Sequence, residues 1–361
     1  MMITANNGFI EQSERYAFNN AGESLKKYIL LKKGELAYNH GASKLRPYGS
    51  CFALTTAENA RIPFVYHCFS AENQNAEFMS IELNGAEIEN QLRKIVSSGA
   101  RMDGLLNISF DEYTSVSVLL PGTEEQDRIA DFFRHLDNLI TLHQRKYEKL
   151  HNIKKSMLEK MFPKNGSNVP EIRFKGFTEA WEQRKAKELF VSTADKGYPE
   201  LPVLSATQDR GMIRRDENSI NIFHDKKNEA GYKRVLPGQF VIHLRSFQGG
   251  FAHSAIEGIT SPAYTVFGFS EPEKHDSEYW KYVFTSKSFI RRLETVTYGI
   301  RDGRSISYEE FLTLGFVYPS KAEQTAIARY LDKLSDLITL HQRELEKLQN
   351  IKKSMLEKMF V

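Results

Sequence analysis

A long segment occurs twice in this chain. The stretch LITLHQR stands at Leu139–Arg145 and again at Leu337–Arg343, 198 positions later, and each copy continues into IKKSMLEKMF. About two-thirds of the positions are identical between Glu124–Phe162 and Ala322–Phe360, a similarity that no chance match gives. A two-fold repeat in one chain predicts a pseudo-dimer, in which two related units fold against each other.

Both copies of the repeat have the pattern of a helix. They are rich in Glu, Lys, Leu, Gln and Met, and neither Gly nor Pro interrupts them. Their apolar residues recur every three or four positions, which predicts a heptad seam between two paired helices. The predicted seam residues are Phe133, Leu136, Ile140, His143, Leu150, Met157, Leu331, Leu334, Ile338, His341, Leu348 and Met355. The twin histidines of this seam are interpreted as polar register markers, in preference to a pH sensor or a metal site.

A second apolar stripe runs along each helix. In the first copy it consists of Leu139, Leu142, Ile153, Leu158 and Phe162, and the second copy has its counterparts. Two interpretations stay open: a wide core face of a helical bundle, or a surface that docks a partner protein.

The sequence outside the helices is typical of mixed α/β globules. We predict an α+β protein with two such globules separated by two long helices that form an antiparallel coiled coil. The predicted domains are a first globule at 1–121, a first helix at 122–165, a second globule at 166–320 and a second helix at 321–361. The helix of about 39 residues would be about 58 Å long, so antiparallel pairing would place one globule at each end.

Short strands and helices are predicted within both globules. The predicted strands are Leu36–Asn39, Phe64–Phe69, Thr114–Leu120, Phe190–Thr193, Leu201–Leu204, Gln239–Leu244 and Tyr264–Phe269, and the predicted helices are Ala86–Ser98 and Ser286–Thr295. The globules also resemble each other, since NISFDEYTSVSVLLPGTEEQ matches SISYEEFLTLGFVYPSKAEQ. The second globule opens with EIRFKGFTEAWEQRKAKELF, which has no counterpart in the first, so the first globule is expected to be shortened at its beginning.

Composition limits the class of protein. The 361 residues are 41% hydrophobic and 26% charged, which is typical of a globular protein with two or more domains. No run of about 18 apolar residues predicts a membrane span. Two cysteines, Cys51 and Cys68, favour a reducing cytoplasm over a disulfide scaffold. The net charge of +3 permits nucleic-acid binding without requiring it.

The order of these motifs resembles a known family. A variable globule, then P-x-x-x-E-Q, then a long helix ending in KKSMLEKMF, then RFKGFTEAWEQRK, is similar to the specificity subunit of type I restriction-modification systems. The resemblance covers essentially the whole chain. It implies two target recognition domains, each reading one half of a split double-stranded DNA sequence. It also implies helices that set the spacer and dock two methyltransferase subunits, with restriction and translocase subunits added to that core.

Candidate DNA-contacting residues lie in loops and basic clusters. Arginine can bind guanine and glutamine can bind adenine through paired hydrogen bonds, and glycines let a loop approach a groove. The loop after a predicted strand of the second globule, and the corresponding loop of the first, carry such residues. The candidates are Asn39, His40, Lys44, Arg46, Tyr48, Arg245, Ser246 and Gln248, with Arg210, Arg214, Arg215, Arg301 and Arg304 as candidate phosphate contacts.

Several catalytic motifs are absent from the sequence. There is no phosphate-binding Gly-x-x-x-x-Gly-Lys-Ser/Thr loop, no Gly-x-Gly-x-x-Gly, and no Asn-Pro-Pro-Tyr or Asp-Pro-Pro-Tyr tetrapeptide. His67 and Cys68 have no second pair at ligand spacing, so no metal site is predicted there. We therefore predict a non-catalytic chain that binds no cofactor, and expect S-adenosylmethionine, ATP and Mg²⁺ to be used by partner subunits. The alternative is a coiled-coil scaffold that binds proteins and no DNA.

Overall fold

The computed structural model describes residues 1–5, 8–15, 26–96, 105–164, 167–207, 209–217, 226–243, 250–294 and 307–360. The chain forms two compact units. The first unit is Met1–Lys146 together with His341–Val361, and the second is Tyr147–Leu340. Each of the two long helices therefore contributes one part to each unit.

Seventeen strands and ten α-helices are described, in the following order along the chain. The strands are β1 (Met2–Thr4), β2 (Gly8–Ile10), β3 (Ile29–Lys32), β4 (Leu36–Asn39), β5 (Ser50–Ala53), β6 (Asn59–Ile62), β7 (His67–Phe69), β8 (Glu182–Lys185), β9 (Phe190–Thr193), β10 (Leu204–Thr207), β11 (Gly211–Arg214), β12 (Lys233–Val235), β13 (Phe240–Ile242), β14 (Phe251–His253), β15 (Gly258–Thr260), β16 (Thr265–Phe269) and β17 (Gly315–Tyr318). The helices are α1 (Gln12–Arg15), α2 (Ala76–Glu82), α3 (Ala86–Ile95), α4 (Phe110–Thr114), α5 (Thr123–Lys160), α6 (Ala186–Leu189), α7 (Ser277–Thr285), α8 (Lys287–Glu294), α9 (Tyr308–Leu312) and α10 (Lys321–Met359).

The two units use the same sheet plan. In the first unit the antiparallel order is β5-β4-β7, and in the second it is β14-β13-β16, extended by β9. A two-stranded pair follows the same plan in each, β3 with β6 and β12 with β15. The extra strand β9 begins at Phe190, the last residue of the segment that opens the second globule. The predicted α+β class, with mixed globules and two long helices, is confirmed.

The long helices α5 and α10 run antiparallel. In the first unit the Nζ atom of Lys352 lies 2.5 Å from Asp137 Oδ1, and the rings of Phe133 and Phe360 lie 6.0 Å apart. The residue number therefore falls along α10 as it rises along α5. In the second unit the Nζ atom of Lys154 donates to Ser335 Oγ at 2.7 Å.

Lys154 and Lys352 occupy equivalent repeat positions, and so do Asp137 and Ser335, so the two contacts are related by the repeat. Each lysine stem lies along apolar surface while its amine reaches a polar atom of the facing helix.

Each unit has a core rich in aromatic side chains. In the first, Phe133 of α5 packs with Phe78 and with residues of β4 and β5. In the second, Trp280 and Phe284 of α7 are almost fully buried and pack around Phe190 of β9. Burial of such side chains is the main stabilising contribution to each unit.

One predicted strand is wrong. Residues Thr114–Leu120 form the end of α4 followed by irregular chain, whereas the matching part of the second unit forms β17. Strand β17 pairs along its length with β8, from Gly315 opposite Lys185 to Tyr318 opposite Glu182. Among the described residues of the first unit, no strand pairs with Ser117–Leu120 in this way.

The other predicted elements lie where expected or within a few residues. Leu36–Asn39 and Phe190–Thr193 are strands with the predicted bounds, whereas the strand predicted at Leu201–Leu204 begins at Leu204. None of the described helices is long and apolar enough to cross a membrane.

Candidate functional site

The first candidate loop begins at Asn39, the last residue of β4. Its Oδ1 atom accepts from the Gly41 N–H at 2.9 Å, and its Nδ2 atom donates to the Ile3 carbonyl at 3.3 Å. The amide that could recognise adenine is therefore engaged in shaping the turn. Contact with a base would require both of these bonds to be exchanged.

His40 lies inside the first unit. It is only 8% exposed, and its ring centroid lies 5.1 Å from that of His67 and 6.4 Å from that of Tyr38. The side chain contributes to this aromatic cluster rather than to the loop surface.

Arg46 is also held by the globule. Its Nη1 atom donates to the Asn84 carbonyl at 2.7 Å. Burial lowers the pKa of the Arg46 guanidinium, and the nearby carboxylate of Glu89 raises it. A guanidinium bound to a carbonyl in this way positions the loop against the turn after α2.

Tyr48 and Lys44 differ in how they are presented. The Tyr48 ring is half-buried, with the Arg93 guanidinium 5.9 Å from its centroid, and its carbonyl accepts from the Tyr38 hydroxyl at 2.6 Å. Lys44 is exposed, beside Leu45, whose side chain is 60% exposed. Of the five candidates in this loop, Lys44 is the one with an exposed side chain.

In the second unit three candidate arginines lie on or beside the β10–β11 hairpin. Arg210 is exposed in its turn, where its N–H donates to Thr207 Oγ1 at 3.1 Å. The following residue, Gly211, has a φ of +68°, and a Cβ there would lie 2.3 Å from the His253 carbonyl oxygen. A glycine is therefore required at this position, and the hairpin that carries Arg210 sits close against β14.

Arg214 and Arg215 follow at the end of β11. The exposed Arg214 guanidinium lies 3.4 Å from Asp216. Arg215 is half-buried, and its Nε and Nη1 atoms are shielded from solvent. Among the residues that the structure describes, neither nitrogen has a hydrogen-bond partner. A guanidinium with unused N–H groups can donate them to a phosphate oxygen.

Five candidates lie outside the described residues. They are Arg245, Ser246, Gln248, Arg301 and Arg304.

The predicted seam is most tightly packed where the helices join the globules. Phe133, Leu136, Leu331 and Leu334 are at most 7% exposed. Towards the middle the seam is half-buried, and there His143 Nδ1 and His341 Nδ1 lie 3.2 Å apart. The half-buried seam residues are Ile140, His143, Leu150, Met157, Ile338, His341 and Leu348.

Met355 is more exposed than Met157, the residue at the equivalent position in the first copy of the repeat. Its side chain is 36% exposed, whereas Leu356 and Phe360 pack against the core of the first unit. Leu158 and Phe162 do the same in the second. The ends of the second apolar stripe therefore serve as core.

Two buried glutamines explain the P-x-x-x-E-Q motif. Gln126 and Gln324 are fully buried at equivalent positions. Gln324 Nε2 donates to the Pro319 carbonyl at 2.9 Å, and its Oε1 accepts from the Asp276 N–H at 2.9 Å.

Gln126 makes the same two bonds, to the Pro121 carbonyl at 2.9 Å and from the Asn75 N–H at 3.1 Å. Each glutamine thus joins a long helix to the N-cap residue of a shorter helix of its globule. Gln126 is bonded to the N-cap of α2, and Gln324 is bonded to the N-cap of α7. Repetition of the motif was the available signal.

Metal binding has little support in the described part of the chain. No group of three or more His, Cys, Asp or Glu side chains is suitably placed there. His67 Nε2 lies 3.2 Å from the Ile108 carbonyl, and burial raises the pKa of the Cys68 thiol to about 11. Both groups are consistent with a structural role.

Comparison with known proteins gives the following relatives. No protein-family model matches the chain. The type I restriction enzyme MjaVIII specificity subunit of Methanocaldococcus jannaschii is 26% identical over 283 residues, which cover 72% of this chain and 65% of that protein. The aligned region therefore spans just under two-thirds of the relative's length. The resemblance to specificity subunits found in the sequence is confirmed.

The chain is similar to two solved structures. The type I restriction-modification S subunit from M. genitalium superposes with a TM-score of 0.52 at 12% identity, over 92% of this chain and 84% of that one. The HsdS subunit from Thermoanaerobacter tengcongensis gives a TM-score of 0.47 at 15% identity, over 92% and 81%. At this identity the M. genitalium structure supports the fold alone.

Proposed function

We propose that this chain is a DNA sequence-recognition subunit of a type I restriction-modification system, in which each globule reads one half of a bipartite double-stranded target. The observation that carries the proposal is the doubled architecture, with two related globules built on antiparallel helices. Readers with two-fold repeats bind two separated half-sites on DNA in this manner. The similarity to a specificity subunit supports the same function.

The helices are proposed to fix the gap between the half-sites and to dock two methyltransferase subunits. Leu139, Leu142 and Leu340 support the docking role, because they remain 46%, 46% and 52% exposed. Exposed leucines at helical spacing are typical of a surface that a partner covers. Restriction and translocase subunits would join this assembly.

The chain is proposed to be non-catalytic. S-adenosylmethionine, ATP and Mg²⁺ would then be bound by the partner subunits, and the contribution of this chain would be the choice of DNA sequence. Lys44, Arg210, Arg214 and Arg215 are the described candidates best placed for phosphate contacts, because each is exposed or has unused donors. Arg245, Ser246 and Gln248 remain the candidates for base contacts.

The test is to map modified adenines in cells that carry this chain with its methyltransferase partner. The expected motif has two specific blocks separated by a gap of constant length and variable sequence. A single undivided motif would contradict the proposal. The scaffold alternative is tested with the purified complex, since only a DNA reader will shift a DNA fragment in a salt-dependent way.

A further inference from the structure

We propose that Phe64 is a base-contacting residue of the first unit, and that its exposed ring contacts the methyl group of a thymine in the major groove of DNA. The inference rests on the proposed function and names one determinant of the sequence that the first globule reads. Thymine is the base that presents a methyl group in that groove, and phenylalanine is one of the side chains that contact it.

The first candidate loop leaves the reading of bases largely to other residues. The side chains of Asn39 and Arg46 are bonded within the globule, and His40 is buried in an aromatic cluster. Lys44 is exposed, and an exposed lysine is suited to a phosphate contact, which carries no sequence information. Side chains that distinguish bases are therefore to be sought beside this loop.

The turn at residues 63–66 lies beside the first candidate loop. It connects β6 to β7, and β7 begins opposite Tyr38, close to the end of β4 from which the loop starts. The Tyr66 hydroxyl accepts from the Ile3 N–H at 3.3 Å, and the Ile3 carbonyl accepts from Asn39 Nδ2, also at 3.3 Å. The turn and the loop are therefore fixed to the same residue.

This turn and the loop both present apolar side chains to solvent. The Phe64 side chain is 54% exposed, whereas the next residue, Val65, packs against the core cluster that contains Ile62. In the loop, Leu45 is 60% exposed beside Lys44. An exposed ring, an exposed leucine and a lysine at one end of a sheet suit a surface that contacts both phosphates and the apolar parts of bases.

The second unit has the same turn at the equivalent place. The Tyr66 N–H donates to the Pro63 carbonyl at 3.2 Å, and the Tyr264 N–H donates to the Ser261 carbonyl at 3.1 Å. The Tyr264 ring lies 6.1 Å from that of His243, which directly precedes the second candidate loop. In both units the turn is therefore placed next to the residue that leads into a candidate loop.

The tips of the two turns differ in their side chains. Phe64 and Val65 in the first unit stand where Pro262 and Ala263 stand in the second. A frame that is retained while its tip changes is expected of an element that reads a different sequence in each half-site. Phe64 therefore acts on the half-site that the first unit reads and not on the other.

The test uses the purified complex of this chain with its methyltransferase partner, and a duplex that carries the mapped bipartite motif. Each thymine of the two specific blocks is replaced in turn by deoxyuridine, which lacks only the methyl group. One such replacement, within one block, is expected to weaken binding of the natural complex about fourfold, as loss of one buried apolar carbon does. The same replacement should leave the affinity of the Phe64→Ala complex unchanged, because that variant has already lost the contact.

Two further variants serve as controls. Phe64→Leu keeps an apolar side chain and should keep part of the discrimination between thymine and deoxyuridine. Leu119→Ala truncates another exposed side chain of the first unit, close to the start of α5, and should respond to deoxyuridine as the natural chain does. Because Phe64 is exposed, Phe64→Ala should fold normally.

The possible results separate this inference from the proposed function. If no replacement weakens binding, or if the natural chain and Phe64→Ala respond equally to every replacement, the inference is overturned, while a bipartite motif still supports the proposed function. If Phe64→Ala weakens assembly of the complex without changing base preference, Phe64 contacts a protein and the inference is also overturned. Absence of salt-dependent DNA binding would overturn both.

Discussion

The Nδ1 atoms of His143 and His341 lie 3.2 Å apart, so the two copies of the repeat meet at the same residue. At this distance a hydrogen bond forms when one Nδ1 carries a proton and donates and the other is unprotonated and accepts. Two protonated rings would repel each other. The twin histidines therefore form a register contact that protonation of both rings would disrupt.

Stability should consequently fall on mild acidification. Partial desolvation, then His143 and then Lys146 lower the pKa of His341 below its ordinary value. A base with a lowered pKa in the folded state binds fewer protons there than in the unfolded chain. Stability is therefore retained above about pH 6.5 and lost as the pH falls through that value.

The measurement is the thermal midpoint between pH 8 and 5, compared with a His143→Gln, His341→Gln double variant. The natural chain should lose more of its midpoint over this interval than the double variant. Parallel pH profiles would show that the pair contributes nothing to the dependence.

Substitution of two glutamates at equivalent positions should affect stability by very different amounts. Glu323→Ala leaves the guanidinium of Arg173 without its bidentate partner at a buried site, which costs about 3–5 kcal/mol. Glu125→Ala removes an exposed carboxylate and should change stability by less than about 0.5 kcal/mol. Denaturant unfolding of both variants measures the difference. Similar losses of stability in both variants would show that the carboxylate of Glu125 is buried and paired as that of Glu323 is.

This asymmetry also explains which parts of the fold could be predicted. The long helices and their antiparallel pairing were predictable because the heptad pattern is local and the repeat supplies both partners. Thr114–Leu120 has the sequence of a strand, but its counterpart β17 forms one by pairing with β8, which is distant in sequence. No such partner strand occurs among the described residues of the first unit. No local pattern contains that information.

The candidate loops were less predictable for a similar reason. Asn39 and Arg46 have residue types that can read bases, but their side chains are bound to Ile3 and Asn84, which are far away in sequence. Lys44, by contrast, has an exposed side chain. A sequence shows which residue types could contact a base. Only the structure shows which of these side chains are already bonded to residues that are distant in sequence.

Arg215 should contribute to DNA affinity but should contribute little to the stability of the fold. Its Nε and Nη1 atoms have no partner in the described part of the chain, so Arg215→Met should leave the free energy of unfolding unchanged or raise it. If Arg215 contacts a phosphate, DNA affinity should fall equally for all sequences, and the salt slope should decrease by about 1.

Arg234→Met is the matched control for this prediction. Arg234 is bound to Glu257 at 2.5 Å and lies over the Tyr198 ring, so its loss should lower stability instead. A loss of DNA affinity at Arg215→Met that is confined to one sequence would identify a base contact rather than a phosphate contact.

The length of the helix pair should set the spacer, if the helices fix the gap as proposed. Four residues inserted at matching mid-helix positions of α5 and α10 would lengthen each helix by about 6 Å. Since successive base pairs are about 3.4 Å apart, the gap in the methylated motif should grow by about two base pairs while both specific blocks stay the same. Long-read mapping of modified adenines measures the gap directly, and a variant with four substitutions at the same positions controls for altered packing. A longer helix pair with an unchanged gap would show that the spacing is determined by the docked partner subunits.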